Sequence, residues 1–220
     1  MNTTTEPTVF VVDDDPAVRD SLSLLLETEG LSVECHESAE SFLAAYRQDR
    51  TGCLVLDVRM HRMSGPELQA ELVRRGSQLP IIFLTAHGDI PMTVRAMKAG
   101  ARDFLTKPIN GTELLDRVHA VLRSERERQN EQEMLAHERK RLDELTQREQ
   151  EVMMLALAGR ANKAIAKQLG ISYRTVEIHR SHILQKTGTA NMLELAQLAA
   201  TCGLSIETVE SGSNGSGQQQ

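Results

Sequence analysis

The sequence predicts two domains of different class. The first is an α/β domain, a doubly wound five-stranded parallel sheet; the second is an all-α module of four helices, and a long helical linker joins them. Three observations carry this. Five short strand-like runs, three of them apolar, alternate with amphipathic helical stretches through the first half of the chain. After Gly111, no proline or glycine interrupts the chain until Gly159. Beyond Leu145 come four short helical stretches, each opened by a capping residue and three of them closed by glycine.

Thr8 to Val12 is an apolar strand running into Asp13-Asp14-Asp15, and Pro16 fits the first turn of a helix reaching Glu29. Leu31 to Cys35 is a second strand, followed by helical spacing from Ser38 to Arg47. Cys53-Leu54-Val55-Leu56-Asp57 is a third, continuously apolar and so buried on both faces. Ser64 and Glu67 form a capping box for a helix through Leu68 and Leu72. Ile81 to Leu84 is a fourth strand ending at Thr85, and Ile90 to Ala99 is a helix stopped by Gly100. Asp103 to Thr106 is the fifth strand and leads to Lys107-Pro108. Asn110, with Glu113 three residues on, caps a helix that packs through Leu114, Leu115, Val118 and Leu122.

The 220 residues are enough for two modest cores, and 40% apolar with 25% charged residues is an ordinary globular balance. No apolar run is long enough to span a bilayer, and Met1 to Pro7 lacks a basic region followed by an apolar one. Cys35, Cys53 and Cys202 are few, odd in number and widely spaced, which reads as buried thiols of a cytoplasmic protein. Predicted bounds are 1–122 for the α/β domain, 123–145 for the linker, 146–202 for the helical module and 203–220 for a disordered Gly/Ser/Gln-rich tail. Net charge over these is −6, −1, +3 and −2, so an acidic half and a basic module face different partners.

Parallel strands place Asp13, Asp14, Asp57, Thr85 and Lys107 at one carboxyl edge, where ligands of open α/β sheets bind. Clustered carboxylates repel and need a cation; an oxygen-only donor set favours Mg²⁺ or Mn²⁺ over zinc. A carboxylate nucleophile (Asp57), a hydroxyl (Thr85) and an ammonium (Lys107) beside such a cation are the groups that phosphoryl transfer needs.

The pattern Val-Val-Asp13-Asp14-Asp15, Leu-Asp57-Val-Arg-Met, Leu-Thr85-Ala and Thr-Lys107-Pro108 resembles the receiver domain of bacterial two-component response regulators over about residues 8–122. The resemblance implies a flavodoxin-like sheet of order 2-1-3-4-5, with Asp57 accepting phosphate from a sensor histidine kinase. It further implies Mg²⁺ held by Asp13, Asp14, Asp57 and the Arg59 backbone carbonyl, a Thr85–Phe104 switch pair, and a cis bond before Pro108. Relatives often carry other residues at His61 and Arg62, which sets the rim of the site apart. A haloacid-dehalogenase-like phosphatase would use Asp13 and Asp15, but it lacks carboxylates after the lysine and leaves Asp57 idle.

From Arg123 to Glu133 the linker has no apolar residue, and Leu135, Leu142 and Leu145 hint at a pairing seam too short for a coiled coil. Thr146 with Glu149, Asn162, Ser172, and Asn191 with Glu194 open the four helices of the module. Leu169-Gly170-Ile171-Ser172 joins the middle two as a helix-turn-helix, with Tyr173–Thr187 as recognition helix. The string from Leu145 to Gly188 resembles the LuxR-type DNA-binding domain over about 143–202. With the receiver it is similar to the NarL/FixJ class, FixJ-type branch.

Lys163, Lys167, Arg174, Arg180 and Lys186 are candidates for phosphate contact, and Thr175 joins them at the start of the recognition helix. The resemblance puts Glu177, Ile178 and Ser181 at base-facing positions; a carboxylate there accepts from cytosine or faces solvent. His179 and His182 are a turn apart, with packing or phosphate contact favoured over metal binding. The function so implied is a phosphorylation-dependent transcription regulator, not an enzyme beyond assisting its own phosphorylation and dephosphorylation. Its partners are a sensor histidine kinase, promoter DNA, a second copy when phosphorylated and RNA polymerase, with no membrane. The alternative is a phosphate-independent regulator whose receiver only docks a partner.

Overall fold

The computed structural model describes residues 6–86 and 90–204, and the chain divides into two compact units between Arg128 and Gln129. The expected tail falls almost wholly outside the described residues. In the first unit, β1 (Thr8–Val12), β2 (Ser32–His36), β3 (Gly52–Asp57), β4 (Ile81–Ala86) and β5 (Asp103–Lys107) form one parallel sheet of order β2-β1-β3-β4-β5. Four helices intervene: α1 (Pro16–Thr28), α2 (Ala39–Ala45), α3 (Gly65–Arg74) and α4 (Ile90–Lys98).

Successive strand residues point to opposite faces, and both faces are covered. Phe10, Val12, Leu54, Leu56 and Phe83 pack with Phe42, Leu68 and Leu72 on one side. Val9, Val11, Cys53, Val55, Ile82 and Leu84 pack with Leu22, Leu26, Leu114 and Val118 on the other. β1 and β3 are adjacent while the chain leaves them in opposite directions, so the crevice at their carboxyl ends is the switch point.

β2 departs from the expected burial. As an edge strand it is only half covered, and Cys35 is exposed where burial was expected. The residues of α1 beside it, Arg19 and Ser23, are polar and leave the strand end open. Cys53 and Cys202 are buried.

Local chemistry fixes the helix starts near the crevice. Asp15 caps α1 by accepting from the Ala17 amide at 2.9 Å, and Pro16 fills the first turn. The Glu67 carboxylate accepts from the Ser64 amide at 2.8 Å and its hydroxyl at 2.6 Å, which holds the start of α3. Gly65 lies against the end of β3: a methyl group there would stand 2.4 Å from the Asp57 carbonyl oxygen.

α5 (Gly111–Asp143) continues from the first unit as a single helix of 33 residues. Its mixed charges predict a solvent-exposed helix, but the polar stretch is not solvated throughout. Glu125 is buried, accepting from Arg128 Nη2 at 2.8 Å with Arg102 at 3.6 Å, and Arg128 also donates to Gln78 Oε1 at 2.6 Å. Charge pairing replaces apolar contact there. Leu142 and Leu145 do not form a seam; both are buried in the core of the second unit.

That unit comprises the end of α5 with α6 (Gln147–Leu157), α7 (Asn162–Leu169), α8 (Tyr173–Thr187) and α9 (Met192–Thr201). Val152, Met153, Ile165, Val176, Ile183, Leu195 and Leu198 form its core. Gly170 ends α7 at φ 67°, a left-handed conformation that glycine adopts without a side-chain clash. One expected cap is corrected: Ala161, not Asn162, precedes α7, with no side-chain cap bond. The Asn162 amide oxygen instead accepts from Arg180 Nη1 at 2.9 Å.

Glu149 ties the start of α6 to α8. Its Oε2 accepts from the Thr146 amide (2.8 Å), the Thr146 hydroxyl (2.9 Å) and Lys186 Nζ (2.7 Å). Burial opposes the charge, but bonds from Lys186 and Thr146 outweigh it and lower the carboxyl from 4.5 to about 2. A depressed carboxyl pKa stabilises the fold above the unfolded value, and that contribution is lost as pH falls from about 4.5 toward 2.

Glu149→Gln should cost about 2 kcal/mol at neutral pH. Urea unfolding followed by circular dichroism should show that gap narrowing below about pH 4.5, and a gap constant down to pH 3 would contradict the assignment. Gly65→Ala should destabilise the first unit by about 2 kcal/mol through overpacking against the Asp57 carbonyl. An unchanged melting temperature would show that the strand end yields freely.

Candidate functional site

The carboxyl edge of the sheet gathers the polar strand ends. Asp13 follows β1 and is fully buried, Asp57 closes β3 and is 6% exposed, and Thr85, near the end of β4, is buried. One ligand oxygen from each of Asp13, Asp14 and Asp57 lies within 4.8 Å of the others. Lys107, at the end of β5, places Nζ 2.7 Å from Asp13 Oδ2 and 3.1 Å from Asp57 Oδ1. The bond from Lys107 to Pro108 is cis.

The backbone fixes Asp13 from several sides. Its Oδ1 accepts from the Asp15 amide at 2.9 Å, its carbonyl accepts from Arg19 Nη1 at 2.8 Å, and its amide donates to the His36 carbonyl at 3.3 Å. Arg59 is exposed two residues beyond Asp57. Phe104 lies on β5 and is 41% exposed. A narrow cavity lined by Val58, Phe83, Thr85, Ala96 and Met97 separates this ring from the core.

Burial raises the Asp57 pKa, and the charges of Asp13 and Asp14 add to this; Lys107 opposes them without cancelling them. Burial works against the Lys107 ammonium, yet its bonds to Asp13 and Asp57 hold its pKa above the usual lysine value. Burial likewise opposes the Asp14 charge, but His61 outweighs it and lowers that pKa. Three carboxylates with one ammonium leave excess negative charge, which fits a divalent cation bound through hard oxygen ligands.

His61 was not anticipated as a partner of Asp14. Its amide donates to Asp14 Oδ2 at 3.1 Å and its imidazole Nδ1 contacts the same oxygen. Arg62, with φ at 67°, turns the loop there. The unusual pair at the rim was visible in the sequence; its partner was not, because loop contacts follow from the fold. Arg19 is likewise a support that no strand-end pattern reveals.

The second site is the outer surface of α7 and α8. Lys163, Lys167, Arg174, Glu177, Ile178 and Ser181 are exposed. Arg180 and Lys186 are held by Asn162 and Glu149, so the structure brings these two cations to partners within the module. Thr175 sits at the helix start, its amide bonded to Ser172 Oγ at 3.1 Å. His179 is half-buried and His182 exposed. Among the described residues, the only group of three or more metal-capable side chains is Asp13, Asp14 and Asp57.

Both units match known protein families. Residues 9–119 match the response regulator receiver domain and residues 143–199 match the bacterial regulatory proteins of the luxR family. Nodulation protein W of Bradyrhizobium diazoefficiens is 44% identical over 206 residues, covering 94% of this chain and 91% of that protein. Transcriptional regulatory protein FixJ of Azorhizobium caulinodans is 44% identical over 196 residues, covering 89% and 93%. The solved structure of response regulator StyR superposes with a TM-score of 0.83 at 46% identity, covering 89% of this chain and 99% of that one. Among the described residues, no helix is long and apolar enough to cross a membrane. The chain belongs to the response regulators, with a receiver domain followed by a LuxR-type DNA-binding domain.

Proposed function

We propose that Asp57 is the phosphoacceptor of a two-component relay and that its modification controls promoter binding by the helical module. The observation that carries this is the acidic trio at the sheet edge with Lys107 bonded to two of its members. An Asp57 carboxylate oxygen attacks the phosphorus of a kinase phosphohistidine, the phosphorus–nitrogen bond breaks, and the imidazole leaves as the neutral base after taking up a proton. Lys107 meets the charge on the transferred oxygens, and Thr85 donates its hydroxyl to one of them. Asp13, Asp14, Asp57 and the Arg59 carbonyl are the groups that would hold Mg²⁺, or Mn²⁺ in its place. When bound, the cation offsets the repulsion between the carboxylates and the incoming phosphoryl group. The groove of Ala17, Val18, Ser21, Leu25, Pro108 and Ile109 adjoins Lys107 and supplies an apolar surface for the donor protein.

Phosphorylation then shifts the Thr85–Phe104 pair. With the hydroxyl drawn to the phosphoryl group, the exposed ring turns toward Val58, Phe83, Ala96 and Met97. Val94, Met97 and Phe104 form an exposed apolar patch on α4 and β5, suited to pairing with a second copy. A dimer presents two helical modules to adjacent half-sites. Lys163, Lys167 and Arg174 meet DNA phosphates, and Thr175 adds a hydroxyl. Arg180 and Lys186 contribute charge from their internal pairs, and Glu177, Ile178 and Ser181 face the bases. The protein acts in the cytoplasm, with RNA polymerase as a further partner at the promoter.

Acetyl phosphate with Mg²⁺ should phosphorylate the wild-type chain and shift it toward a dimer by gel filtration. Asp57→Asn should show neither effect, and undiminished labelling of that variant would rule out this residue as acceptor. DNA affinity should fall linearly on a log–log plot against salt, and Arg174→Ala should reduce the slope by about 1 for each bound subunit. An unaltered slope would take Arg174 out of the phosphate contact.

A further inference from the structure

α8 turns Val176, Ile183 and Thr187 into the core of the module. With 3.6 residues per turn, the opposite side is the stripe Arg174, Ile178, Ser181 and Gln185, and Glu177 flanks it. Two members of this surface lack an internal purpose. Ile178 is 45% exposed, an apolar side chain left in water on an otherwise polar stripe. Glu177 is exposed and has no ion-pair partner among the described residues, although Arg174 and Arg180 stand three residues to either side. The buried carboxylate of the module, Glu149, shows the contrast, being bonded to Lys186 and Thr146.

A carboxylate carried into a groove between phosphates is repelled unless it accepts a hydrogen bond there. Guanine offers only acceptors in the major groove, and thymine offers an acceptor and a methyl group. Adenine sets its amino group beside an acceptor, whereas cytosine presents an amino donor alone. The carboxylate therefore matches cytosine. An aliphatic side chain matches the one apolar feature of the groove, the thymine methyl.

We propose that Glu177 and Ile178 are specificity determinants, Glu177 accepting from a cytosine amino group and Ile178 packing on the methyl of a neighbouring thymine. This rests on the reading of α8 as the DNA-contacting helix. Arg174 and Ser181 on the same stripe bracket the pair, the first toward phosphate and the second toward either a base or a sugar oxygen. Both determinants lie outside the core, so their replacement leaves the packing of Val176 and Ile183 intact.

The test is selection from a randomised duplex pool by the full-length chain treated with acetyl phosphate and Mg²⁺. Wild type should enrich a motif holding a cytosine next to a thymine. Glu177→Gln should convert that cytosine to adenine, because an amide donates and accepts as the adenine edge requires. Replacing the thymine with deoxyuridine should weaken wild-type binding about 5-fold and leave Ile178→Ala indifferent. A motif unchanged by Glu177→Gln, or equal sensitivity of wild type and Ile178→Ala to deoxyuridine, would overturn the assignment. Failure of the wild type to enrich any motif would instead remove the DNA-binding reading, and this assignment with it.

Discussion

The receiver is organised around a charge imbalance that the fold itself creates. A parallel sheet whose strands all finish at one edge brings Asp13, Asp14 and Asp57 within 4.8 Å. Lys107 enters from β5 and bonds to two of them. One ammonium cannot neutralise three carboxylates, so the pocket is held together yet remains short of positive charge. The burial that raises the Asp57 pKa keeps this edge partly dry, where each electrostatic contact is stronger than in water. Strand order matters for the same reason: β4 lies between β3 and β5, so Lys107 must reach past the end of β4, where Thr85 stands.

Much of this was legible in the sequence because it depends on strand ends. Val-Val before Asp13 and Leu-Val-Leu before Asp57 fix both the buried strand and the residue that emerges from it. The partners of Asp14 and Asp13 on loop and helix, His61 and Arg19, depend on how the chain folds back and leave no periodic mark. Cys35 misled because the number and spacing of the cysteines suggest buried thiols, while its place on the edge strand is a property of topology. Asn162 misled in another way. Asparagine is a good cap, but its amide oxygen bonds to Arg180 instead. Leu142 and Leu145 had the spacing for helix pairing, and the helical core claimed them first.

In the helical module one carboxylate does the structural joining. Glu149 caps its own helix while holding Lys186 of α8, so the orientation of α8 is linked to the first turn of α6. Such a link restrains α8 from behind and leaves its outer face free for contact. Arg180 is restrained similarly from α7. The cations nearest the core thus maintain the shape of the module, while those on its outer surface remain available.

The burial of Glu125 bears on how such proteins can be recombined. The polar tract after the receiver looks like a neutral spacer, yet Arg102, Arg128 and Gln78 engage its first turns. From the other side, Arg139 donates to the Cys202 carbonyl at 3.3 Å, and Leu142 and Leu145 belong to the helical core. A chimaera joined directly after Leu122 would strand Arg102 and Gln78, and one joined after Asp143 would divide the second core. Among the described residues, none from Gln129 to His137 makes a side-chain hydrogen bond or ion pair, so a crossover between receiver and effector domains disturbs least when it falls in that tract.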